Sequence, residues 1–92
     1  MTGSEMKEAR RKLGLSRVEF ARLLGYTGTD RNDELRIKNY ENDRRPDGLP
    51  PYLARLIWLI LIWHRNTGQL PPFPGYVYRQ IPDYAQRKKE TA

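Results

Sequence analysis

An all-α fold is predicted for this 92-residue chain by three features. Two capping boxes stand early in the sequence, each followed by a glycine stop, at Thr2/Glu5 with Gly14 and at Ser16/Glu19 with Gly25. Apolar residues recur at helical spacing. A long apolar segment opens on Pro51, at a first helical position where a missing N–H does no harm. These features predict a compact domain of four or five helices in residues 1–66 and an extended Pro/aromatic arm in 67–92.

The first helix is expected over 4–13, with a thin apolar stripe of Met6, Ala9 and Leu13. The second, over 17–24, presents Phe20, Ala21 and Leu24, and Leu15 and Phe20 flank its cap as a hydrophobic staple. Residues 25–32 read as a turn-rich loop. A third helix is expected from a cap at Asp33 to about Asn42, burying Ile37 and Tyr40. Pro46, Gly48 and Pro50 break the chain before a fourth helix over 51–65. There, Leu53, Leu56, Ile57, Ile60 and Leu61 form one stripe, while Tyr52, Trp58, Leu59, Ile62 and Trp63 point elsewhere. Each large side chain buried is worth roughly 1.5–3 kcal/mol, and a chain this small cannot cover both faces unaided. A second copy is the favoured cover, making those five residues a dimer interface; the arm folding back is the other. The Leu70–Pro74 stretch is expected to be extended and docked on the chain's own aromatics.

Composition excludes several classes. Ninety-two residues make one domain at most, with a core too small for an elaborate active site. The chain has no cysteine and one histidine, so no disulfide, metal centre or cofactor is expected; His64 is assigned to the end of the fourth helix. No phosphate-cradling glycine loop or nucleophile elbow is present, and we read a non-enzyme. The N-terminus lacks a signal-like apolar region, and the longest apolar run, Leu56–Trp63, falls short of the ~20 residues a bilayer needs. A cytoplasmic, nucleoid-associated protein is therefore expected, with no membrane partner.

The net charge of +6 favours an anionic partner. It is not concentrated in the first three helices. Residues 1–49 hold 11 Lys/Arg against 9 Asp/Glu, net +2, and residues 50–92 hold 6 against 2, net +4.

Over about residues 4–63 the chain resembles the lambda-repressor/Cro-type (Xre) helix-turn-helix family. The resemblance is carried by Arg10, Leu13-Gly14-Leu15-Ser16, Glu19 through Gly25, Ile37 through Asn42, and Arg44-Arg45-Pro46 ahead of an apolar helix. It implies that Ala21 lets the two motif helices cross closely, that Gly25 makes the turn, and that Ile37 anchors the recognition helix. It also implies an ion pair between Arg10 and Glu41. One departure stands out: twelve positions separate Gly25 from Ile37, about six more than usual in the family. The extra residues, 27–32, form either a longer surface loop or an N-terminal extension of the third helix. Gly28, Thr29 and Asp30, all turn formers, favour the loop.

With Ile37 and Tyr40 inward, the outer side of the third helix carries Glu34, Leu35, Lys38 and Asn39, with Arg36 at its edge. These residue types suit base reading in a major groove: Asn with adenine, Arg or Lys with guanine, Glu with cytosine, Leu against a thymine methyl. Arg17, Arg31, Asn42, Arg44 and Arg45 are assigned to phosphates, Arg31 being a weaker candidate than the others, as is Arg22, which alternatively only solvates the second helix. The expected function is that of a homodimeric, sequence-specific double-stranded DNA-binding regulator, an (auto)repressor on a pseudo-palindromic operator. Small stand-alone proteins resembling it include phage and mobile-element regulators, among them anti-CRISPR-associated autorepressors. Two alternatives are an antitoxin that holds a protein partner through the C-terminal arm, and an interaction module on the same scaffold. Glu34, acidic on the outer face, keeps the last one open.

Overall fold

Both capping boxes form. Thr2 Oγ1 accepts the Glu5 amide at 3.1 Å while a Glu5 carboxylate oxygen accepts the Thr2 amide at 3.0 Å. Ser16 and Glu19 repeat the exchange at 3.1 and 2.8 Å, and both are buried, so water cannot replace the lost partner if either is removed. The computed structural model describes residues 1–44 and 48–73. Among these it holds four α-helices and no strand: α1 (Gly3–Lys12), α2 (Arg17–Leu23), α3 (Asp30–Glu41) and α4 (Pro51–Thr67). None of these helices is long and apolar enough to cross a membrane.

α3 packs against both α2 and α1, and α4 against α1. Phe20, Met6, Ile37, Leu53 and Ile57 are among the most deeply buried side chains and draw all four helices into one core. The expected stripes of α1 and α4 face that core, with Leu56 and Leu61 only half-buried. In α2 the expected Leu24 is half-buried at the C-cap, and Leu23 is the residue packed inside. Leu70 and Phe73 pack against the core from beyond α4. The arm from residue 74 lies outside the described residues.

α3 corrects the sequence reading. It begins at Asp30, capped by Thr29, whose hydroxyl accepts the Asn32 amide at 3.2 Å. Asp33 is therefore not a cap; it lies within the helix, 1% exposed. The residues expected as loop thus add about a turn to the helix. A signal for this stood in the sequence: a threonine followed by two acids, Asp30 and Asp33, in the turn where the helix dipole favours them.

The C-terminal end of α3 closes with a Schellman pair, Arg44 N–H to Asn39 O at 2.9 Å and Asp43 N–H to Tyr40 O at 3.2 Å. Asp43 takes the left-handed position, φ 54°, normally given to glycine. Its carboxylate compensates by accepting the Gly3 amide at 3.1 Å, at the start of α1. Gly3 itself must be small: a Cβ there would collide with the carbonyl oxygens of Tyr40 and Glu41.

Candidate nucleic-acid interface

Two ion pairs, each made to a buried carboxylate, fix the inner side of α3, one at each end. Near the C-terminal end, Arg10 Nε donates to Glu41 Oε2 at 2.7 Å and Arg10 Nη2 to Oε1 at 3.3 Å. The remaining Arg10 Nη1 holds the Leu15 carbonyl at 3.0 Å. Arg17 Nε joins from α2, 3.2 Å from Glu41 Oε1. Glu41, with no exposed side-chain surface, thus binds α1 and α2 to α3.

At the N-terminal end, Arg22 of α2 plays the equivalent part. Its Nη1 donates to Asp33 Oδ2 at 3.0 Å and to the Gly28 carbonyl at 2.9 Å, and its Nη2 donates to Asp30 Oδ1. Gly28 is close enough to the Asp33 carboxylate that a Cβ would sit 2.9 Å from Oδ1. The weak phosphate assignment of Arg22 is therefore replaced: its guanidinium is engaged by the protein's own acids. Nothing in the local sequence pairs Arg22 with Asp33, eleven positions away, because the pairing depends on how α2 crosses α3.

With both ends held, α3 turns Arg31, Glu34, Leu35, Arg36, Lys38 and Asn42 to solvent. Asn39 is half-buried rather than fully outward. Leu35 is 49% exposed, a large apolar side chain only half covered in the described structure. Arg36 lies with its guanidinium carbon 4.5 Å from the centre of the Tyr26 ring, a cation–π contact that restrains it against the loop after α2. Burial, reinforced by the nearby Tyr40 and Tyr52 hydroxyls, pushes the Tyr26 hydroxyl above its ordinary value of 10.0.

Of the expected phosphate residues, Arg44 is exposed just beyond α3 and Asn42 caps that helix. Arg17 is 26% exposed along its side chain and shared with Glu41. Arg31, expected in a loop, lies in the first turn of α3. Arg45 falls outside the described residues. The expected dimer residues Tyr52, Trp58, Leu59, Ile62 and Trp63 are all exposed along α4. Trp58 also lines a shallow groove between α1 and α4 with Ser4, Glu8, Lys12 and Leu61. Among the described residues, no three His, Cys, Asp or Glu side chains are placed to hold a metal ion.

Comparison of the chain with protein-family models, curated proteins and solved structures finds no match in any of the three.

Proposed function

We propose that this protein is a sequence-specific double-stranded DNA-binding regulator of the lambda-repressor/Cro type, acting as a homodimer. The observation that carries the reading is the outer face of α3: Arg31, Leu35, Lys38 and Asn42 stand exposed on a helix whose inner face is locked by ion pairs to two buried carboxylates. A helix that enters a groove must not roll when its side chains meet base edges, and Glu41 and Asp33 oppose that roll at opposite ends. Arg44, fixed by the Schellman turn, and Arg17, in the first turn of α2, are suited to phosphates on either side. The basic balance of the chain supports the same kind of partner.

In this mechanism the exposed α4 face joins two copies, and their α3 helices reach successive major grooves about 34 Å apart on a pseudo-palindrome. Repression follows by occlusion of the promoter, within the cytoplasm. The test is selection from a random-sequence duplex pool followed by footprinting. An enriched palindromic motif is expected; enrichment of no motif overturns the reading.

A further inference from the structure

We infer that Arg31 reads a base edge rather than a phosphate, and that Arg22 is the positioning residue that places it; this rests on the DNA-binding reading above. Arg31, Leu35, Lys38 and Asn42 follow one another at i, i+4, i+7 and i+11, along one line of the α-helix, and all four are exposed. Ile37, Tyr40 and Asp33, all buried, occupy the opposite side. Arg31 therefore lies on the middle line of the outward face, one turn ahead of Leu35, or about 6 Å along the axis. Phosphates flank a groove and meet residues at the edges of an inserted helix. Its midline meets base edges, and a recognition helix reads chiefly with its N-terminal residues. A guanidinium in that place matches guanine O6 and N7.

The turn bearing Arg31 does not depend on the helix alone for its position. Arg22 reaches from α2 to Asp33, Asp30 and the Gly28 carbonyl, so one buried-to-surface guanidinium holds the loop and the first turn together. Asp33 is 1% exposed and cannot exchange this partner for water. The pairing has an electrostatic consequence too. Without Arg22, Asp30 and Asp33 would present two uncompensated carboxylates beside a polyanion, at the end of α3 that leads.

The test compares the full chain with Arg31→Ala, Arg22→Ala and Arg22→Lys by duplex selection, by binding across a salt series and by thermal melting. Arg31→Ala is expected to melt as wild type, relax one base position and weaken the selected site about 5- to 150-fold. Arg22→Ala is expected to relax the same position and, by baring Asp30 and Asp33, to weaken random-sequence duplex to a smaller extent; the relaxed position is a change that mere loss of stability does not produce. Arg22→Lys, which keeps the charge but not the fork, should fall between, and it carries the comparison if Arg22→Ala does not fold. Uniform weakening by Arg31→Ala with a salt slope lower by about one would make Arg31 a phosphate contact and overturn the inference. An unchanged motif in Arg31→Ala would also overturn it, while leaving the DNA-binding reading intact. A folded Arg22 variant with the wild-type preference would remove the positioning role. If wild type itself selects no motif, the reading and the inference fall together.

Discussion

Arg10 and Glu41, thirty-one positions apart, meet inside the protein through Nε and Oε2 at 2.7 Å, and Glu41 has no exposed side-chain surface. A carboxylate so placed depends on its partners for the solvation that water supplies elsewhere. Arg10→Met should therefore cost about 3–5 kcal/mol, since it strands a charge that Arg17 reaches with a single hydrogen bond. The double variant Arg10→Met/Glu41→Leu should recover a large part of that loss. Urea denaturation of the three proteins decides it; equal stabilities for the single and double variants would mean that the pair, rather than the stranded charge, supplies the energy.

If the proposed DNA-binding reading holds, substitutions at Asn39 and Arg44 should separate base reading from backbone positioning. Asn39→Ala should cost about 1–3 kcal/mol on the selected site and relax one base position. The carbonyl that receives the Arg44 amide belongs to the main chain and survives the substitution. Arg44→Ala should weaken all duplexes alike and lower the salt slope by about one. Titrations on selected and random duplexes at several salt concentrations distinguish the two patterns.

The Tyr26 hydroxyl is held above 10.0 by burial and by its tyrosine neighbours, so its neutral form is favoured in the folded protein. The sign follows from proton binding. Below pH 10 both states carry the proton and this group leaves stability unchanged with pH. Above it the unfolded chain ionises first, and stability falls as pH rises through the folded value. Tyr26→Phe keeps the ring beneath Arg36 and should remove that part of the alkaline loss. Melting curves of both proteins between pH 8 and about 11 test this.

The exposed α4 residues predict the oligomeric state. Leu59 and Ile62 are 64% and 52% exposed, so glutamate at either should leave the monomer's fold and melting nearly unchanged. Both substitutions should halve the mass measured by sedimentation equilibrium. They should also weaken binding to a palindrome far more than to a single half-site, because linked binding of two sites is lost. A wild-type chain that sediments as a monomer at the concentrations used for DNA binding would exclude the dimer.

The features legible from residue spacing are local. The capping boxes, the buried stripes of α1 and α4, and the helix start at Pro51 each join residues three to eight positions apart. Such contacts form in any chain that enters the helix, which is why spacing alone reveals them. The start of α3 was ambiguous on the same grounds, because Gly28, Thr29 and Asp30 serve a turn and a helix cap equally well. Tertiary structure decided it: once α2 crosses α3, Arg22 reaches Asp30, Asp33 and the Gly28 carbonyl together, and the helical arrangement supplies all three acceptors. The same crossing moved Arg22 from phosphate candidate to clamp, set Arg17 against Glu41, and packed Leu23 rather than Leu24 inside. These outcomes depend on distances through space between helices, which sequence separation does not encode.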